Sequence, residues 1–234
     1  DLIIEKGICR VVCCNDDPNP LVSGRGFAKL QAAGIEVLRH VCEAEGRYLN
    51  RRFFTFMEQQ RPYVILKWAQ SADGYMAPSN VQDNASASLT APQKRYWLST
   101  PWQNLLNHRW RTEEAAILIG SQTYIDDHPM LTARHWHGNQ PQPVVLDRRH
   151  RLKGLPAHWL HLDGADIPSV LHTLYEKRLQ SLIVEGGRQV IEAFIHADLY
   201  DEVRILQSPQ RLGAGLQAPA LPATHNKIVT IVSP

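Results

Sequence analysis

From residue 62 onward, short apolar runs alternate with longer amphipathic stretches, and this alternation constrains the fold more than any other feature of the chain. Residues 63–68, 115–120, 143–147, 182–185 and 202–207 each read as a strand. Residues 100–111, 168–177 and 188–196 read as the helices between them, with Thr100 as N-cap and Pro101 at the first helical position. Runs this short and this apolar suit strands covered on both faces. Strands that alternate with helices form a mostly parallel sheet. Residues 81–92 are small and polar and read as a loop; residues 227–232 read as one more strand. The expected fold class is α/β, with a central, mostly parallel sheet and flanking helices.

The texture changes near residues 59–62. Ahead of it lies a partial α/β segment: a helix end at 1–6, strands at 8–14 and 36–40, and helices at 27–33 and 42–59. The last of these would carry Leu49, Phe53 and Phe56 on one face. Residues 15–26 are a loop, since Pro18 and Pro20 fix φ and remove amide donors. Two domains are expected, 1–61 and 62–234.

Charge and composition exclude several classes. A net charge of +2, with arginines and lysines scattered rather than interleaved with aromatics, argues against nucleic acid. No apolar run approaches the ~20 residues that span a bilayer, and no signal peptide is visible. The first residue is Asp1 rather than Met, as in a fragment. Cys9, Cys13, Cys14 and Cys42 all fall in the first fifth of the chain. Buried reduced thiols are expected, as in a cytoplasmic protein, with a metal site or a disulfide as alternatives. Neighbours on a strand point to opposite faces, so Cys13 and Cys14 cannot easily share a metal. His135-x-His137 has no third ligand at a recognised spacing, and no metal is expected.

Ligands of open α/β sheets lie at the carboxyl ends of the strands. Those ends here carry Lys67, Ser71, Asp73-Gly74, Gly120-Ser121, Asp147-Arg148 and Glu185-Gly186-Gly187. A glycine pair opening a helix lets backbone amides and the helix dipole face an anion; it also suits a turn that merely needs positive φ. Gly120-Ser121-Gln122-Thr123 reads as a second cradle or as a plain helix cap. Arg111 and Arg134 flank this unit, where two guanidiniums could grip one phosphate. Lys67 is either a site cation or a strand-end lysine reaching solvent.

Five motifs, in this order, resemble the reductase family of riboflavin biosynthesis. They are Tyr63-Val64-Ile65-Leu66-Lys67 with Ser71-Ala72-Asp73-Gly74; Ala116-Ile117-Leu118-Ile119-Gly120 with Thr123; Asp127, Pro129, Leu131-Thr132 and Arg134; Pro143-Val144-Val145-Leu146-Asp147; and Val184-Glu185-Gly186-Gly187. Asp17-Pro18-Asn19-Pro20, Gly24-Arg25-Gly26 and residues 30–37 resemble the end of the deaminase domain fused ahead of that reductase, without its zinc motifs. The resemblance implies a dihydrofolate-reductase-like fold, NADPH as cofactor and a phosphorylated ribosylamino-pyrimidine as substrate. It implies a cytoplasmic homodimer or homotetramer, with no nucleic acid or membrane partner and no deaminase activity from this chain.

For the site, the resemblance implies that Arg111, Leu131, Arg134 and Glu185 line the phosphosugar. It implies that Trp97, Thr123, Asp127, Arg148, Gly187, Arg188, Gln189, Val190, Ile191, Glu192 and Ala193 line the cofactor. Lys67 and Glu185 are the expected catalytic pair, and the Arg148-Arg149 doublet is expected to meet the adenosine 2′-phosphate. Two rival readings stay open: a pterin or dihydrofolate reductase of the same fold, and a non-catalytic oligomer subunit.

Overall fold

The computed structural model describes residues 1–19, 21–22, 24–79, 97–164, 166–223 and 226–233. The expected loop at 81–92 lies outside them. The chain divides into two compact units, Asp1–Tyr63 and Val64–Pro234.

The first unit contains α1 (Leu2–Glu5), β1 (Arg10–Val12), α2 (Arg25–Ala32), β2 (Glu36–Leu38), α3 (Glu43–Leu49) and α4 (Arg51–Gln59). β1 and β2 form a parallel pair, Arg10 opposite Glu36, and those two side chains make an exposed ion pair. Two expectations are corrected here. The single helix at 42–59 is two helices, broken at Asn50, whose backbone leaves the helical region (φ −100°, ψ 20°) while its side-chain amide joins its backbone amide on the Gly46 carbonyl. The break turns Leu49 outward, 77% exposed, while Phe54 and Phe56 are buried. The cysteines are free but not buried: Cys9, Cys14 and Cys42 are exposed and Cys13 is half-buried. A sheet of two three-residue strands is too small to enclose the side chains at its ends.

The second unit is built on a seven-stranded sheet in the order β11-β9-β3-β8-β5-β6-β7. Its strands are β3 (Tyr63–Gln70), β5 (Ala116–Gly120), β6 (Gln142–Leu146), β7 (Leu160–Leu162), β8 (Ser181–Val184), β9 (Glu202–Gln207) and β11 (Ile228–Val232). The described ladders β11–β9, β3–β9, β5–β8, β5–β6 and β6–β7 are all parallel. A small antiparallel ladder joins β4 (Tyr75–Pro78) to β10 (Gly215–Gln217). The helices are α5 (Pro101–Glu113), α6 (Ser121–Asp127), α7 (Ile167–Glu176) and α8 (Arg188–His196).

Alternation along the strands separates the two faces. Val64, Leu66, Trp68, Leu118, Val184, Val203 and Ile205 form one core with Val170, Leu171 and Leu174 of α7 and Ile191 and Phe194 of α8. The alternate positions carry buried isoleucines and, on β3 and β9, charge: Lys67 lies opposite Arg204 in the register, and Arg204 bonds Glu202 at 2.7 Å and reaches Glu114 at 3.5 Å. Trp110 of α5 lies beneath the Arg204 guanidinium, 5.1 Å from it. Helix α5 starts in a capping box between Thr100 and Gln103. The Gln103 side-chain amide then donates to the carbonyls of Gln207 and Val232, tying the helix to β9 and β11.

Candidate active site

Three charged side chains meet at the carboxyl ends of the central strands. Glu185, just past β8, accepts from Arg111 Nε at 3.0 Å and Nη2 at 2.7 Å. Lys67 Nζ lies 3.7 Å from the same carboxylate. All three are buried, with side-chain exposures of 8% for Glu185, 12% for Arg111 and 11% for Lys67. Burial works to raise the Glu185 carboxyl, but the Arg111 and Lys67 charges prevail and bring it down to about 2. Burial pushes Lys67 down, and Glu185 only partly opposes this. Glu185 outweighs burial at Arg111 and holds it charged. The group therefore offers a fixed carboxylate as acceptor beside an ammonium with an eased proton.

Arg111 also donates through Nη1 to the Thr132 carbonyl at 3.0 Å, fastening the segment that carries Leu131 and Arg134. Leu131 is buried in the left-handed region, φ 53°, an uncommon state for a branched residue that concentrates at functional sites. Arg134 is exposed and lines a shallow depression with His135, Trp136 and His137. His108 is buried beside this segment, its ring edge-on to His135 at 4.5 Å. Burial first, then the charges of Arg111, His135 and Arg134, push its imidazole down to about 4.

A cleft of about 1090 Å³ opens between the ends of β5 and β6 and the start of α8. Its walls include Thr123, Arg148, Gly187, Arg188, Gln189, Val190, Glu192 and Ala193, all expected to bind cofactor. Three other expected residues do not line it. Ile191 is fully buried in the sheet core, because helical periodicity turns every third or fourth side chain of α8 inward. Trp97 is 61% exposed, and Asp127, at the end of α6, is exposed as well.

Two glycines let α8 pack close against the sheet. A Cβ on Gly120 would stand 2.8 Å from Val190 Cγ2; one on Gly186 would stand 3.1 Å from Val190 Cβ and 3.3 Å from the Gly120 nitrogen. The start of α8 therefore packs close against the end of β5 through Val190, and Gly120 and Gly187 line a cradle beside it that suits phosphate groups. The Gly187 amide donates to Thr123 Oγ1 at 3.1 Å across the cleft.

Sequence reasoning passed over Arg151, and it took His108 for one of the scattered surface histidines, whereas the side chain is buried. Arg151 was visible as part of the basic run after Asp147, whereas the only sequence signal for His108 was its place one turn before Arg111. Arg151 donates to Gln122 Oε1 at 2.7 Å and Ser121 Oγ at 2.9 Å. Asp147, wholly buried, accepts from the Leu152 amide at 2.9 Å and faces His161 Nε2 at 3.3 Å. Burial favours its neutral form, yet the amides of Leu152 and Arg151 hold its carboxyl below the usual range. Among the described residues, no three His, Cys, Asp or Glu side chains are grouped to hold a metal. No helix among them is long and apolar enough to cross a membrane.

Residues 62–228 match the family model described as the RibD C-terminal domain. The riboflavin biosynthesis protein RibD of Aquifex aeolicus is 35% identical over 92% of this chain, and that of Bacillus amyloliquefaciens is 32% identical over 94%. The chain spans 65% of the length of each of these relatives. Among solved structures, a deaminase/5-amino-6-(5-phosphoribosylamino)uracil reductase from Thermotoga maritima superposes with a TM-score of 0.76 at 32% identity, over 93% of this chain and 64% of that one. Acinetobacter baumannii RibD superposes with a TM-score of 0.79 at 27% identity, over 93% and 65%. The fold is the dihydrofolate-reductase-like one of those reductases, and the chain belongs to the RibD C-terminal domain family.

Proposed function

We propose that the second unit reduces the ribosyl group of 5-amino-6-(5-phosphoribosylamino)uracil to the ribityl product, with NADPH as reductant. The observation that carries this reading is the buried Lys67–Glu185–Arg111 group beside a glycine-floored, arginine-rich cleft, within a family of riboflavin-pathway reductases. NADPH, when bound, supplies the hydride that the substrate's C1′ must receive. The residues fit that cofactor: Gly120 and Gly187 line the cleft without side chains to block its phosphates, and Arg148, Arg151 and Arg188 line the same cleft.

The chain's own groups then bind and orient the sugar. Glu185, held as a carboxylate, accepts hydrogen bonds from the sugar hydroxyls. Lys67, with its proton eased by burial, donates to the sugar oxygen or nitrogen as the ring opens. Arg134 takes the 5-phosphate, supplying binding energy away from the reacting carbon. Residues 1–61 are proposed to be the closing part of a cytidine-deaminase-like domain, since the likeness to the Thermotoga maritima deaminase/reductase extends over 93% of this chain.

The test is NADPH oxidation by the full chain, with the phosphorylated ribosylamino-pyrimidine and separately with dihydrofolate. Turnover of the first alone is expected. Turnover of dihydrofolate alone would replace this reading with the pterin-reductase one.

A further inference from the structure

The buried cations of the second unit are matched by carboxylates, and so is the Arg188 side chain that lines the cleft. Lys67 and Arg111 share Glu185, Arg204 has Glu202 and Glu114, and Arg188 bonds Glu192 at 2.6 Å. Arg148 lies close enough to Asp166 to stabilise its charge. Arg151 differs. Both its described partners, Ser121 Oγ and Gln122 Oε1, are neutral, and among the described residues no carboxylate pairs with it. An exposed guanidinium anchored on the wall of a cleft by two neutral acceptors keeps its remaining N–H donors for an anion.

The turn that presents Arg151 is also built rather than loose. The buried Asp147 carboxylate accepts from the Leu152 amide, so the chain from Arg148 to Arg151 folds back over it and brings Arg149 to the same cleft. Arg149 is exposed at the rim. A phosphomonoester dianion matches such a pair better than the pyrophosphate, whose charge is met by backbone amides at a glycine cradle.

We propose that Arg151 reads the 2′-phosphate of the cofactor and is the residue that sets the preference for NADPH over NADH, with Arg149 assisting. This rests on the cofactor reading above. Of the Arg148-Arg149 doublet expected from the sequence, Arg149 stays and Arg148 gives way to Arg151, because Arg148 faces Asp166 while Arg151 has no described countercharge.

The experiment measures the affinity of the full chain for NADPH and NADH, and for adenosine 2′,5′-bisphosphate against AMP. Arg151→Gln should weaken NADPH and the bisphosphate by about 10-fold or more, and leave NADH and AMP within about twofold. Arg151→Lys, which keeps the charge but loses the two-pronged hold, should fall between wild type and Arg151→Gln. Arg149→Gln should cost NADPH about two- to threefold. An Arg151→Gln protein of unchanged circular dichroism that loses NADPH and NADH equally, or loses neither, overturns the assignment alone. A wild-type chain that binds neither dinucleotide overturns the cofactor reading, and this assignment with it.

Discussion

Arg111 and Glu185, 74 residues apart in the chain, meet through two hydrogen bonds of 3.0 and 2.7 Å. The pair is bidentate and almost sealed from solvent, so Arg111 is committed to shaping Glu185 more than to gripping a phosphate. Removing one partner leaves a buried charge uncompensated. Arg111→Met should therefore cost about 3–5 kcal/mol of stability, measured by urea unfolding. Arg111→Met with Glu185→Leu should cost clearly less than the sum of the two single changes. Strict additivity would show that the two side chains do not depend on each other.

Of the two arginines expected to share the phosphate, Arg134 is then the one proposed to carry it. Arg134→Ala should raise KM for the phosphorylated substrate by about 10–100-fold, while NADPH affinity stays near wild type. The advantage of the phosphorylated substrate over its dephosphorylated analogue should shrink in the same variant. Steady-state kinetics with both forms decides it; equal turnover of both by the wild type would remove the phosphate from Arg134.

Acid should weaken the second unit in two windows. His108, ordinarily near 6.5, lies at about 4 in the folded chain. The unfolded chain therefore takes up a proton first, and the stability that neutral His108 contributes is full above 6.5 and lost as pH falls toward 4. Glu185, depressed from 4.5 to about 2, contributes stability above 4.5 that is lost below it. Unfolding free energy followed from pH 7.5 downward, roughly a unit per step, should decline through the upper window in wild type. In His108→Gln that decline should flatten, with the lower window intact. A profile unchanged by the substitution would assign the upper decline to another group.

The glycines of the cleft should separate binding from folding. Gly187→Val places its Cβ 3.3 Å from Thr123 Oγ1, in the mouth of the cradle, and should weaken NADPH by about 10-fold with little loss of stability. Gly120→Ala meets Val190 at 2.8 Å and should cost about 1–3 kcal/mol through overpacking. Calorimetric titration and thermal unfolding on both variants check the two halves. Equal stability losses would mean that Gly187 is a packing residue.

The legible strands were those whose apolar runs are covered on both faces, such as β3, β5 and β8. β4, β7 and β10 left no such trace, because three or four half-buried residues take their pairing from neighbours rather than from their own pattern. In the site, Lys67, Glu185 and Gly187 could be found because strand ends and a glycine pair mark them locally. The Arg111–Glu185 pair was hidden, since each residue alone is an ordinary charge and only the fold spans the 74 residues between them. The neutral partners of Arg151 were hidden for the same reason. The exposed cysteines of the first unit show the converse error: an apolar run predicts a strand better than it predicts what covers it.

The two hydrogen bonds of the Gln103 amide have a consequence for the order of folding. One of its acceptors, the Val232 carbonyl, lies 129 residues further along the chain, in β11. Helix α5 forms locally from its capping box, but its first turn cannot settle on the sheet until β11 has arrived beside β9. The helix that brings Arg111 to Glu185 is thus fastened by a strand far along the chain. The Arg111–Glu185 pair thus depends in part on a contact of high sequence separation, and such distant closures belong to the slow steps of folding.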